Sequence, residues 1–191
     1  MFEVNSKSFI EALSTSVESG RISDMHSTIC LFSECCFKNE VAQNFPDDVI
    51  EAIFQQMKNE KFQSVPDASI LLLIFETEWG RLSDSQKESL LGVISDTFQS
   101  FRDDQSFFVL AEVLGEYFAD KRALEVLNNI QQTENDIARA FLTYGYGKLA
   151  DHASEEKVRN SAIERLNVLK NDKSESVKEE ANIALRRINH Q

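Results

Sequence analysis

Apolar residues recur along this chain at spacings of three and four, the repeat that gathers side chains onto one face of an α-helix. Phe9, Ala12, Leu13 and Val17 form the first such stripe, in a helix predicted over Ser6–Ser19 and closed by Gly20. A second helix is expected over residues 22–37. The third opens at Pro46, where a missing amide hydrogen costs nothing, and Asp47 and Asp48 suit the positive end of its dipole. Its stripe is Val49, Ile50, Ile53, Phe54 and Met57. Pro66-Asp67 repeats that start before an apolar run over 70–75 that continues to Trp79. By composition the run also fits a buried strand, but the helix-start residues before it favour a helix, expected to be the most buried of the set.

Ser83 or Asp84 caps a fifth helix carrying Leu90, Leu91, Val93, Ile94 and Phe98. Asp103-Asp104 opens a sixth with Phe107, Leu110, Ala111, Leu114 and Phe118 in register. The seventh and eighth are predicted over about 120–132 and 135–150, and the ninth and tenth begin near Glu155 and Ser174. Alternate helices start near residues 7, 47, 84, 120 and 155, a repeat of about 35–40 residues that suits stacked helix pairs. The expected fold is therefore all-α: about ten helices in five antiparallel pairs, one helical-repeat domain over 1–191. An orthogonal helical bundle is the competing arrangement.

Composition agrees with helices and adds a direction. Two prolines and six glycines leave few tight turns, and 42% hydrophobic with 27% charged residues is the balance of a folded domain. The net charge is −12, carried unevenly: residues 1–120 hold 21 acids against 8 bases, residues 121–191 hold 11 against 12. Such a field disfavours nucleic acid, whose affinity comes from Lys and Arg on phosphates, and favours a basic partner; an acidic surface also serves solubility alone. Three cysteines, Cys30, Cys35 and Cys36, make a poor disulfide framework, and no apolar run is long enough to span a bilayer, so a reduced, cytoplasmic setting without membrane is expected.

A search for converging chemistry returns no catalytic, cofactor-binding or metal-ligating set. His26, His152 and His190 lie far apart, the adjacent Cys35 and Cys36 point to different helix faces, and the scattered glycines form no phosphate-cradling loop. Gly145 and Gly147 fall inside the eighth helix, where they suit close packing. The expectation is a protein that is not an enzyme and needs no cofactor.

The end of the chain repeats itself. Val158-Arg159, Ala162, Leu166 and Leu169 are followed nineteen residues later by Val177-Lys178, Ala181, Leu185 and Ile188. With Asp172 before it, the last segment resembles the second helix of a HEAT repeat, and the final forty residues carry the match; the earlier, phenylalanine-rich helices share only the architecture. The resemblance implies a short right-handed HEAT-like solenoid, in which the turn aspartate and the basic residue steady neighbouring turns and second helices line a concave surface. Some HEAT-like proteins excise alkylated bases, which needs a basic groove of the opposite sign, and others attach bilins, for which no motif is present.

On that implied surface lie Glu34, Glu76, Glu78, Trp79, Glu112, Glu116, Tyr117, Tyr144 and Tyr146, an acidic band edged with aromatics that suits the Arg and Lys of a partner. Trp79, Tyr117 and Tyr144 also fit half-buried positions. In size, charge and fold the chain resembles the immunity proteins of bacterial contact-dependent growth inhibition and related polymorphic toxin systems. This implies a basic partner, a nuclease toxin domain. A general adaptor holding a basic segment of a cellular protein is the alternative.

Overall fold

The structure, a computed structural model, describes residues 6–21, 24, 27–28, 44–64 and 68–190. Among them every regular element is helical, so the fold is all-α. Most of the expected second helix, with His26, Cys30, Glu34, Cys35 and Cys36, lies outside the described residues, as do Pro66 and Asp67. The helices are α1 (Ser6–Ser19), α2 (Asp47–Met57), α3 (Glu60–Ser64), α4 (Ala68–Leu72), α5 (Ile74–Thr77), α6 (Asp84–Thr97), α7 (Asp104–Glu112), α8 (Lys121–Ile130), α9 (Asp136–His152), α10 (Glu156–Leu169) and α11 (Glu175–Asn189). Tight 3-10 turns follow at Trp79–Arg81 and Phe98–Ser100, and a wider π-type turn at Val113–Phe118.

Local chemistry sets most of the boundaries. Gly20 adopts φ 64°, donates its amide to the Ser16 carbonyl at 3.0 Å, and so closes α1 in the left-handed region that glycine enters without cost. The Asp103, Asp120 and Asn135 side chains accept backbone amides at the starts of α7, α8 and α9. Ser83 caps α6: its hydroxyl accepts the Gln86 amide at 3.2 Å while Gln86 Oε1 accepts the Ser83 amide at 3.0 Å.

The chain forms two compact units, residues 1–93 with 100–106, and residues 94–99 with 107–191. In the first, α1 packs on α2 and buries Phe9, Leu13 and Val17 against the stripe predicted for the third helix. Phenylalanines fill the space between, with Phe54 stacked 6.0 Å from Phe75 and Phe62 edge-on to Phe101 at 6.2 Å. The run over 70–75 is not one straight buried helix. It breaks at Leu73, which is 39% exposed, and the Thr77 hydroxyl bonds back to the Leu73 carbonyl at 3.0 Å, a contact that bends helices. Leu73 itself stays right-handed helical, its amide bonded to the Ser69 carbonyl and its carbonyl to the Thr77 amide, both at 2.9 Å, so the helical repeat leaves it outward while Ile74 and Phe75 share the buried face of Leu71.

In the second unit α9 is the central helix, packed against the π turn, α8, α10 and α11. Gly145 and Gly147 allow this. A Cβ on Gly145 would stand 3.1 Å from Leu127 Cδ2 and 3.2 Å from the Ala111 carbonyl; one on Gly147 would stand 2.9 Å from the Ala184 Cβ. Facing Gly145, Gly115 lies so close that a Cβ there would collide with the Gly145 carbonyl and stand 2.6 Å from Lys148 Cβ. The sixth predicted helix widens here, from α-helical to π-type after Glu112.

Two glycine substitutions separate packing from propensity. Gly115→Ala should destabilise the fold by about 3 kcal/mol, because backbone must move to admit the methyl group. Gly92→Ala, in the exposed face of α6 with nothing within 4 Å of the new carbon, should stabilise by about 1 kcal/mol. Urea unfolding of the two variants beside the natural chain reads both signs.

Candidate functional site

The predicted band divides between the two units. Glu76, Glu78 and Trp79 belong to the first, on α5 and the turn after it, and all three are half-buried. The Lys87 ammonium lies 5.0 Å from the centre of the Trp79 ring, so that aromatic face already holds a cation of the chain itself.

In the second unit Glu112, Glu116 and Tyr144 come together around Lys148, a residue the sequence reading left aside. Lys148 Nζ lies 2.8 Å from Glu112 Oε1 and 2.5 Å from Glu116 Oε2, and the Tyr144 hydroxyl donates to Glu112 Oε1 at 3.1 Å. His152 Nε2 stands 3.7 Å from Glu116 Oε2, and Phe108 stacks on Tyr144 at 5.1 Å. The Lys148, Glu112 and Glu116 side chains keep 19%, 16% and 31% of their exposure. Their charges are thus engaged within the protein, across α9 and the π turn. Tyr117 is half-buried in that turn. Tyr146 is 0% exposed, an interior ring whose hydroxyl meets Asn128 at 2.9 Å and Gln131 at 3.2 Å.

Electrostatics fix the protonation of this cluster. Burial works against the Lys148 charge, but its bonds to Glu112 and Glu116 outweigh burial and raise its pKa above the ordinary 10.5. The bond from Lys148 holds Glu116 below its ordinary 4.5 against desolvation. Burial, reinforced by the Glu112 charge, pushes the Tyr144 phenol up to about 12. A lysine kept charged in this way is a fixed cation, neither nucleophile nor base near neutral pH.

A second acidic feature sits in the first unit, where the starts of α2 and α6 meet. An open groove of about 430 Å³ is lined by Asp47, Asp48, Ile50, Glu51, Phe54, Ser85, Gln86 and Ser89. Gln86 joins the two helix starts, donating from Nε2 to the Phe45 carbonyl at 3.0 Å and to Asp47 Oδ1 at 2.8 Å. Asp48 and Glu51 are exposed, and no described lining residue is basic. Three carboxylates and two serine hydroxyls, over a floor of the buried Ile50 and Phe54, suit a positively charged head that donates hydrogen bonds. The pattern Pro46-Asp47-Asp48 reads as helix-start chemistry and is that; nothing local announces that Ser85, Gln86 and Ser89 come alongside.

A buried ion pair steadies the C-terminal helices. Arg139, 5% exposed, donates to the Thr133 carbonyl at 2.9 Å, to Asp136 Oδ1 at 2.7 Å and to Asp172 Oδ1 at 3.1 Å. Asp172 also accepts the Ser174 amide at 2.9 Å at the start of α11. Among the described residues no group of three or more His, Cys, Asp and Glu is placed to hold a metal ion, and no helix is long and apolar enough to cross a membrane.

The signs of the pKa displacements predict a plateau of stability. Glu116 is displaced downward, so its contribution is present above pH 4.5 and is lost as the pH falls through the folded-state value. Lys148 and Tyr144 are displaced upward, so theirs is present below the ordinary 10.5 and 10.0 and is lost at higher pH. Lys148→Met should lower the plateau by about 2 kcal/mol, since it strands two partly buried carboxylates, and should make the fall on both sides shallower. Urea midpoints measured from pH 3 to 11 (about the span of these groups) test it, and an unchanged plateau would contradict the pairing. Compared with known protein families, with curated proteins and with solved structures, the chain matches none of them.

Proposed function

We propose that this protein acts by binding a basic protein, and that the acidic groove between the starts of α2 and α6 is where the partner's Lys or Arg side chains enter. The observation that carries this reading is the groove's one-signed lining: Asp47, Asp48 and Glu51 with no basic residue among those that line it, in a unit with 17 acids against 8 bases. The second unit holds 15 against 12, and its clustered carboxylates are bonded to Lys148. A negative field of this kind speeds encounter with a positive partner, and carboxylates desolvated on contact add charge-assisted hydrogen bonds.

Within that reading the partner we favour is a nuclease toxin domain, whose cleft for RNA or DNA must be basic, with this chain as its immunity protein. Size, charge and an all-helical fold support the choice. The Arg139–Asp172 pair and the close Gly147–Ala184 approach are of the kind a HEAT-like stack of the last helices uses, and support that finer description of the fold. The second reading, an adaptor for a basic segment of a cellular protein, draws on the same charge but needs no toxin.

Affinity capture from the source cell tests the proposal, comparing the natural chain with the double variant Asp48→Lys, Glu51→Lys. A basic protein held by the natural chain and lost from the variant, with an association rate that falls as salt rises from roughly 0.05 to 0.5 M, is the expected result. Equal retention by both chains removes the groove from the proposal. Co-expression with a toxin domain encoded beside the gene separates the two readings: restored growth supports inhibition, and continued killing supports the adaptor.

A further inference from the structure

The three carboxylates of the acidic groove are not held alike. Glu51 accepts a bond from Gln55 Nε2 at 2.6 Å, but Gln55 is itself an exposed side chain on the same helix. Asp48 accepts the amide of Val49, its own neighbour, at 3.0 Å. Asp47 is exposed as well, yet its partner is Gln86, which belongs to α6 and is 5% exposed. A donor fixed by packing and by further bonds restricts the rotamers of the group it holds; a donor on an exposed side chain does so less.

Gln86 is fixed in this way. Its Nε2 donates to the Phe45 carbonyl at 3.0 Å and to Asp47 Oδ1 at 2.8 Å, and its Oε1 accepts the Ser83 amide at 3.0 Å. Phe45 is anchored in turn: it is buried, its amide donates to the Arg81 carbonyl at 3.1 Å, and the Arg81 guanidinium lies 4.6 Å from its ring centre. Both amide hydrogens of Gln86 are engaged, so it reaches a bound partner through Asp47. The donor is also uncharged. Arg139 and Lys148 orient carboxylates of the second unit and cancel their charge in doing so, whereas an amide orients Asp47 and leaves its charge in place.

We propose, on the reading of the groove given above, that Gln86 is its positioning residue: it presets the Asp47 carboxylate, charge retained, for the cation of a basic partner. A side chain already ordered loses less freedom when it meets that partner. The gain is therefore in affinity and not in long-range attraction, which depends on the charges alone. Asp48 and Glu51 add to the field, and Asp47 supplies the fixed acceptor.

A hexa-arginine peptide is the probe, titrated calorimetrically into the full chain and its variants, with folding checked by urea midpoints. The natural chain should bind it and the double variant Asp48→Lys, Glu51→Lys should not; equal binding by both removes the groove reading itself. Gln86→Met keeps the net charge and nearly the volume, and should weaken binding about fivefold with an unchanged dependence on salt. In an Asp47→Asn background the same substitution should have no further effect, because the group it positions has lost its charge. A glutamine that only held the two helix starts together would cost the same in both backgrounds. Scalar couplings across χ1 of Asp47 in the natural chain give a measure that needs no variant, and decide the matter if Gln86→Met does not fold: one rotamer is expected. Equal losses in the two backgrounds, or an Asp47 averaged over rotamers, overturn the role of Gln86 while leaving the groove in place. Absence of binding by the natural chain overturns both.

Discussion

The second unit depends on how closely other backbones approach α9. Two glycines, Gly145 and Gly147, let Ala111 and Leu127 come near at one place and Ala184 at another. Close approach of this kind gains many small dispersion contacts, and it leaves no room for even one added methyl group. Gly115 presses against the same helix and the chain around it takes the wide π turn, so the irregular backbone and the tight crossing occur together. Once α9 is held in this way, Tyr144 and Lys148 are delivered to the turn, Tyr146 to the interior, and Arg139 to the loop before α11.

Charge is used differently in the two units. In the second, carboxylates are paired across elements: Glu112 and Glu116 with Lys148, Asp151 with Arg187 at 2.7 Å, Asp172 with Arg139. Such pairs, partly withdrawn from water, fix geometry more than they add net stability. In the first, described bases such as Lys7, Arg21 and Lys61 pair with acids elsewhere on the surface, and the groove formed by Asp47, Asp48 and Glu51 keeps its negative sign. That difference underlies the proposal of a protein partner with positive charge. It also moves attention from the carboxylates of the predicted band to a set outside it.

Much of the local structure was legible. The stripes at Phe9, Leu13 and Val17 and at Val49, Ile50, Ile53, Phe54 and Met57 are buried as their spacing implies, and Gly20, Ser83, Asp103, Asp120 and Asn135 mark helix ends. These signals act over three or four residues. Legibility failed where a distant element intervened. The run over 70–75 is divided at Leu73, which faces outward, and the sixth helix widens beside Gly145, thirty residues on from Gly115. In the band, no local pattern distinguishes Tyr144 from Tyr146; one meets a partly buried carboxylate and the other a core.

The amino-acid sequence by itself determined that the described chain is helical, where most helices begin, and that negative charge concentrates in its first part. Periodicity, capping and net charge are properties of neighbours along the chain or of simple sums, so they survive without coordinates. Which carboxylates are paired within the protein and which line an open groove was decided only by the tertiary structure. Lys148 neutralises Glu116 from 32 residues away and Gln86 reaches Asp47 from 39, and electrostatic energy depends on distance through space, which no spacing along the chain records.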